Sequence, residues 1–144
     1  MVVVLGDERM HEFTGGAPLS YDDLRVRYEM LVRGHSADGS QLWFNWIVRT
    51  ITTDTAVGAV QATVAMDGAT ADVAWEIGVP WQGMGFASEA SAGMADWLIS
   101  AGVRTIRACI HPDHLASGHV AAHLGLSPTA ESVDGETVWR RIPA

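Results

Sequence analysis

Apolar and polar residues recur along this chain with two different periods, and the changes between them predict its helices and strands. Apolar side chains are spaced for a helix over 21–33, with Ser20 as the predicted N-cap and Gly34 after its end. Two stretches rich in aromatic and β-branched residues follow at 43–50 and 56–66. Their turn-like connection predicts that the two strands form a hairpin.

The central part of the chain predicts a crossover between neighbouring strands. A strand over 72–79 runs into a proline and two glycines, a helix is expected over 84–101, and a short apolar strand over 104–110. A second helix is expected at 115–124, and a terminal hairpin turns at 134–135, an Asp-Gly pair. This order predicts a mixed α/β (α+β) fold.

Length and composition agree with one folded unit. The chain has 144 residues, of which 48% are hydrophobic. Such a chain can fill one sizeable core, and the composition excludes a wholly disordered or collagen-like protein. A single domain over 1–144 is therefore expected.

The charged residues exclude several classes of enzyme and binding protein. The sequence has nine arginines, no lysine and seventeen acidic residues, which gives a net charge of −8. The missing lysine excludes a Walker-type phosphate loop, a Schiff-base lysine and a pyridoxal enzyme. The acidic balance argues against a nucleic-acid partner and favours cationic ones.

The cysteine content and the lengths of the apolar stretches indicate the cellular compartment of the protein. The only cysteine, Cys109, lies in an apolar run and is expected to be a small buried residue without a disulfide. No apolar stretch is long enough for a membrane span, and the first residues lack the basic start of a signal peptide. A cytoplasmic protein without a membrane partner is expected.

The histidines do not predict a metal site. His119 and His123 share a helical face, but no acidic residue lies between them, as a zinc-binding His-Glu-x-x-His motif requires. With His111 and His114 they are expected on a partly exposed surface. The tryptophans Trp43, Trp46, Trp81 and Trp97 are expected in the core or in a pocket wall.

A glycine-bearing turn between strand and helix is the most informative stretch. Gly83 and Gly85 follow strand 72–79 and open helix 84–101, an arrangement that lets backbone amides approach a pyrophosphate. A dinucleotide fingerprint is incomplete, because Ser88 stands where its third glycine belongs. An ordinary strand-to-helix turn remains an alternative.

The wider sequence resembles a known family. Gln82-x-x-Gly85-x-Ala87 is similar to the turn with which GCN5-related N-acetyltransferases (GNAT) hold the pyrophosphate of coenzyme A. The stretches at 76–78 and 87–90, and the helix start at 114–117, resemble the ribosomal-protein N-acetyltransferase branch. The resemblance covers roughly residues 43–140 in the family's order.

The resemblance implies a fold and a set of cofactor contacts. The fold would be a mostly antiparallel central sheet with a splayed strand pair and flanking helices. Acetyl-CoA would bind as co-substrate, without a metal. The implied contacts are Ile77, Gly78, Val79, Gln82, Gly83, Met84, Gly85, Phe86, Ala87, Ser88, His114 and Ser117.

The sequence specifies the catalytic groups less fully than the cofactor contacts. Glu76, in the strand before the turn, is either the general base or a structural carboxylate, which would lie on the polar sheet face or pair with an arginine such as Arg49. A strand amide near Ile77 or Gly78 is the expected oxyanion donor. The tyrosine that protonates the thiolate in many relatives is missing, so Ser117, His114 or water is expected to serve.

The resemblance also implies a shortened N-terminus. The family's first strand has no counterpart, because the chain starts inside the first helix of that pattern. Either the start codon is assigned late or the first strand has been lost. If it has been lost, strand 43–50 would present an open edge, which predicts a homodimer or a disturbed edge.

The sequence as a whole predicts an N-acetyltransferase. It would transfer the acetyl group of acetyl-CoA to a primary amine, on a small molecule or a protein N-terminus, by direct attack in a ternary complex. The acceptor is expected near Glu76 and the loop 13–18. The alternative is an acyl-CoA-binding module with little or no transferase activity.

Overall fold

The structure is a computed structural model that describes residues 20–142. Its regular elements are three helices and six strands with one short 3-10 turn: α1 (Tyr21–Leu31), β1 (Gln41–Arg49), β2 (Ala56–Ala65), β3 (Thr70–Ile77), the 3-10 turn (Val79–Trp81), α2 (Phe86–Ser100), β4 (Thr105–Ile110), α3 (Leu115–His123), β5 (Ser127–Val133) and β6 (Glu136–Arg141). The predicted order of elements is confirmed.

Helix α1 begins as its sequence signals predict and ends at Leu31, ahead of the predicted end at 33. The Ser20 hydroxyl accepts a hydrogen bond from the Asp23 amide at 3.1 Å, and acidic residues occupy the first turn. Such a cap stabilises a helix by about 1 kcal/mol. The chain then turns away through Gly34, whose φ of 75° suits glycine.

The six strands form one mixed sheet in the order β1-β2-β3-β4-β6-β5. All neighbours are antiparallel except β3 and β4, which α2 connects in parallel. This confirms the predicted α+β fold with a mostly antiparallel central sheet.

Strands β3 and β4 separate soon after they meet. Their register covers only three pairs, from Thr70 opposite Thr105 to Asp72 opposite Arg107. The remaining five residues of β3 have no partner on β4. The expected splayed pair is therefore present, with a gap at the carboxyl ends of both strands.

The two sheet faces are covered differently. Helices α2 and α3 pack over the face that contributes most of the hydrophobic core, with Leu98 fully buried and Ala121 beside Val73 and Ile106. Helix α1 lies over the opposite face of β1–β3. The two faces thus offer separate approaches to the gap.

Several element boundaries differ from the predictions. Helix α1 stops at Leu31, and β3 ends at Ile77 because the next residues form the 3-10 turn. Helix α2 begins at Phe86 instead of 84, because the positive φ of Gly85 places that residue outside the helix.

The prediction for Cys109 was wrong. Its neighbours Ala108 and Ile110 are buried, but Cys109 is exposed. Alternation along β4 turns its side chain to the opposite face, so the apolar neighbours in sequence did not indicate burial.

The outer edge of β1 is partly covered. A bridge pairs His35 with Leu42, and the Trp43 amide donates to the Gly34 carbonyl. Beyond that point no described strand pairs with this edge. The expected shortening of the N-terminus and the loop 13–18 expected near the acceptor fall on residues outside the described range. No helix within 20–142 is long and apolar enough to cross a membrane.

Candidate active site

A cleft of about 680 Å³ opens beside the gap between β3 and β4. Its walls come from the end of β3, the glycine turn, the start of α2 and the start of α3. It brings together these predicted site residues: Glu76, Ile77, Val79, Gln82, Gly83, Gly85, Phe86, Ala87, Ser88, His114 and Ser117.

The glycine turn fits an anionic group. Gly83 and Gly85 have φ values of 77° and 88°, and a Cβ added at either would meet no atom within 4 Å. The backbone amides of residues 83–88 donate to no described residue, and the first bond of the helix runs from the Glu89 amide to the Gly85 carbonyl at 3.0 Å. Free amides at a helix N-terminus are suited to a pyrophosphate.

Gln82 fixes the turn to the end of the strand. Its side-chain Nε2 donates to the Ile77 carbonyl at 2.9 Å. This bond spans the 3-10 turn and sets where the glycines lie relative to β3. In this structure the Gln82 side chain is thus a support of the turn.

The hydrogen bonds of β3 decide which amide faces the gap. The Gly78 amide donates to the Val57 carbonyl on β2 at 2.8 Å. Because amides alternate in direction along a strand, the Ile77 amide points the other way, toward the gap. Of the two predicted oxyanion donors, Ile77 is the one whose amide faces the cleft.

Gly58 allows β2 to lie against this part of β3. It pairs with Ile77, and an added Cβ would collide with the Glu76 carbonyl oxygen and come within 2.9 Å of the Ile77 Cα. Sequence reasoning passed over this glycine. A glycine inside a strand pattern was the signal that could have revealed the close backbone approach.

Glu76 lies between two cavities. It lines the cleft just described and also a second cavity of about 540 Å³ under α1. Arg49 is not its partner, because that guanidinium donates to the Asp54 carbonyl at 2.9 Å. No described residue makes a hydrogen bond or ion pair with the Glu76 carboxylate, so the structure does not support the alternative in which Glu76 pairs with Arg49.

Tyr28 on α1 lies close enough to Glu76 to sense its charge. Burial raises the pKa of the Tyr28 phenol, Arg27 lowers it, and the Glu76 carboxylate raises it further. The hydroxyl is buried without a hydrogen-bond partner among the described residues. Sequence analysis treated Tyr28 only as part of the helix pattern, since nothing in the sequence links it to β3.

Ser117 and His114 meet across the first turn of α3. The Ser117 Oγ lies 3.3 Å from the His114 Nε2, and both side chains line the first cleft. His114 is also the N-cap residue of α3, although its side chain does not cap the helix. The two candidate proton donors therefore form one unit.

Two predicted contacts lie apart from the cleft. Gly78 is buried and its amide is bonded to β2, while the Met84 side chain is 67% exposed; neither lines the cleft. The cleft wall also contains Trp75, which was not predicted. Alternation along β3, which puts Trp75 and Ile77 on one face, was the available signal.

The histidines do not form a metal-binding cluster in the described part of the chain. Within residues 20–142 no cluster of three or more His, Cys, Asp or Glu side chains could hold a metal, and His119 and His123 are exposed.

The tryptophans singled out in the sequence line the two cavities. Trp81 lines the first cleft, and Trp43, Trp46 and Trp97 line the cavity under α1. The predicted pocket-wall role of these tryptophans is confirmed.

Comparisons with known proteins place this arrangement in a family. The model of the acetyltransferase (GNAT) domain matches residues 1–127. No curated protein matches the sequence.

Solved structures share the fold at low sequence identity. A spermidine N-acetyltransferase from Vibrio cholerae, in complex with CoA and spermine, superposes with a TM-score of 0.75 at 16% identity, over 96% of this chain and 84% of that one. Aminoglycoside acetyltransferase AAC(6')-Ib, in complex with coenzyme A, gives 0.75 at 15% identity over 98% and 86%.

A third structure concerns the expected branch. A putative ribosomal-protein-serine acetyltransferase from Vibrio cholerae gives a TM-score of 0.66 at 17% identity, over 87% of this chain and 76% of that one. At such identity the likeness shows the fold alone. The family match over most of the sequence, together with the splayed strands and glycine turn, shows that this chain belongs to the GNAT acetyltransferase family.

Proposed function

We propose that the protein is an acetyl-CoA-dependent N-acetyltransferase that acts on a primary amine in a ternary complex. The observation that carries this proposal is the position of Glu76, which lines both the glycine-turn cleft and the cavity on the other face. A base so placed can reach an amine in one cavity while the thioester enters from the other. The solved structures named above, one with CoA and spermine, support an amine acceptor.

The chain offers a specific set of groups to the co-substrate. The amides of residues 83–88 would hold the pyrophosphate, and the exposed edge of β3 would bind the pantetheine arm. The small side chain of Ala87 would leave room for the pyrophosphate to approach the backbone amides of the turn. The Ile77 amide, directed into the gap, would donate to the thioester oxygen as negative charge develops on it.

The proton transfers can be assigned to two groups. Glu76 would take a proton from the ammonium form of the acceptor, which frees the nitrogen lone pair. A carbon–nitrogen bond then forms at the thioester carbon and the carbon–sulfur bond breaks. The departing thiolate would receive the second amine proton through the Ser117–His114 pair.

The β1 edge supports a proposal about assembly. Backbone alternation directs the amides and carbonyls of Asn45 and Ile47 away from β2, past the point where Gly34 covers the edge. We infer that the same edge of a second copy pairs there to give a homodimer. Light scattering that shows a monomer across the accessible concentration range would contradict this.

Turnover tests the main proposal. The protein is mixed with acetyl-CoA and a panel of primary amines, thiol release is followed, and mass spectrometry identifies the product. The expected result is amine-dependent thiol release with an acetylated amine. Acetyl-CoA binding without product on any amine would instead support an acyl-CoA-binding module.

A further inference from the structure

The cavity under α1 has a composition that bears on the acceptor. It lies between α1 and the face of β1–β3, and its volume of about 540 Å³ is within the usual range for small-molecule sites. Glu76 lies at its inner end, where it meets the first cleft. An acceptor bound here would thus place its amine at the base.

The charges in this cavity do not suit a polycation. Among the described residues that line it, Glu76 has the one carboxylate and Arg27 the one guanidinium, so their formal charges cancel. Binding a molecule with three or more ammonium groups requires several carboxylates to replace its hydration. A single ammonium group needs only Glu76.

The neighbouring acidic groups are engaged elsewhere. Asp72 lies on the same sheet face as Glu76, but it forms an ion pair with Arg107 at 2.8 Å. On α1, Glu29 pairs with Arg25 at 3.2 Å. Among the described acidic residues, these two are therefore engaged with arginines and not with a cation in the cavity.

The cavity has two aromatic side chains that can reach a ligand at Glu76. Trp43 lies on the sheet face of Glu76, since the strand register groups it with Asn45, Ile47 and, across β2, Glu76, and Tyr28 approaches from α1. Phe44 and Trp46 belong to the opposite face of β1, where their rings contact Trp97 of α2 edge-on at centroid distances of 5.0 and 5.5 Å. Side chains such as Trp43 and Tyr28 bind a flat apolar body by stacking and attract a single cation through their ring faces.

We propose, on the basis of the N-acetyltransferase function above, that the acceptor is a small monoamine with a flat aromatic body, an arylalkylamine, and not a polyamine or an aminoglycoside. The aromatic body would lie against Trp43 and the ammonium group would reach Glu76. This preference would set the chain apart from the spermidine and aminoglycoside acetyltransferases that share its fold.

Competition between amines tests this assignment. Acetyl transfer is measured with phenylethylamine, tryptamine, spermidine and kanamycin, and amine binding is followed by tryptophan fluorescence in the presence of CoA. The arylalkylamines are expected to give a kcat/KM at least about tenfold above the polycations, as a desolvated cation–aromatic contact can provide. Trp43→Ala should raise the KM for tryptamine and leave acetyl-CoA affinity unchanged.

Reversing the charge of Arg27 gives a second, independent test of the acceptor proposal. Arg27→Glu adds a second carboxylate to the cavity and should raise kcat/KM for spermidine. Arg25→Glu is the matched control, because Arg25 lies on the same helix but does not line the cavity. A gain for both variants would show a general charge effect and overturn the argument.

The failures are distinguishable. Polycations used as well as arylalkylamines, or no saturable fluorescence change with any arylalkylamine, would overturn the acceptor assignment while the transferase proposal stands. Absence of acetyl-CoA binding in a separate titration would instead overturn the proposed function on which the assignment rests.

Discussion

The Ser117 Oγ lies 3.3 Å from the His114 Nε2 at the start of α3, within the cleft that also contains Glu76. The tyrosine acid that the family resemblance implies is missing from this chain, and the Ser117–His114 pair is the candidate proton donor in its place. A hydroxyl that contacts an imidazole can pass to a thiolate the proton that the attacking amine releases.

We predict that Ser117→Ala lowers kcat by about tenfold or more, within the usual range for general acid catalysis, with little change in acetyl-CoA affinity. His114→Asn keeps a polar side chain but removes the imidazole that contacts the Ser117 hydroxyl, so kcat should fall to a similar extent. An unchanged kcat in both variants would remove the pair from the mechanism.

Glu76→Gln tests the base. The amide is nearly isosteric but cannot accept the acceptor proton, so kcat/KM should fall by about a hundredfold or more while acetyl-CoA still binds. Glu131→Gln is a suitable control, because Glu131 is exposed and pairs with Arg140 away from both cavities. Equal activities of the two variants would show that Glu76 is not the base.

Two glycines should respond oppositely to alanine. Gly58→Ala places a Cβ against the backbone of Glu76 and Ile77, so we expect a loss of about 1–3 kcal/mol in the free energy of unfolding, as overpacking costs. Gly93 lies inside α2 with open space around its Cβ. Gly93→Ala should therefore stabilise by about 0.5–1 kcal/mol.

Urea unfolding of the two variants beside the parent protein measures both effects. A Gly58→Ala variant as stable as the parent would mean that β2 and β3 can separate without cost. It would contradict the close approach on which the position of Glu76 depends.

Acid should weaken the turn before β1. Hydrogen bonds from the Ser40 amide and hydroxyl and from the Ser36 hydroxyl lower the pKa of Asp38 from 3.8 to about 2. Because the folded pKa is depressed, these bonds stabilise the fold above pH 3.8 and are lost as the pH falls toward 2. Asp38→Asn should be less stable than the parent at pH 5, and the difference should shrink at pH 2.5. A difference that does not change with pH would contradict this.

The sequence predicted the order of elements because each has clear end signals. Ser20 caps α1, and the 134–135 Asp-Gly pair turns the last hairpin with φ values of 51° and 82°. The Gln82-x-x-Gly85-x-Ala87 motif located the first cleft because its function rests on backbone amides at adjacent positions. Local chemistry was sufficient for these features.

Features that depend on contacts between strands far apart in the sequence could not be predicted from local sequence signals. Burial of Cys109 was predicted wrongly because the face of β4 was not known, and Gly58 was missed because its crowding comes from β3. Tyr28 approaches Glu76 only through the packing of α1 on the sheet. The cavity under α1 therefore emerged only from the tertiary structure.

The most direct test of the central claim is a calorimetric titration with acetyl-CoA of the parent protein and of two glycine variants. Gly85→Ala strains a positive φ within the cleft, and Gly39→Ala strains a similar φ of 72° in an exposed turn; both have open space around the added Cβ. We predict that the parent and Gly39→Ala bind acetyl-CoA with equal affinity and that Gly85→Ala binds at least about tenfold more weakly, since a shifted turn misplaces the amides. Equal affinities of all three proteins, or no binding by the parent, would contradict the account.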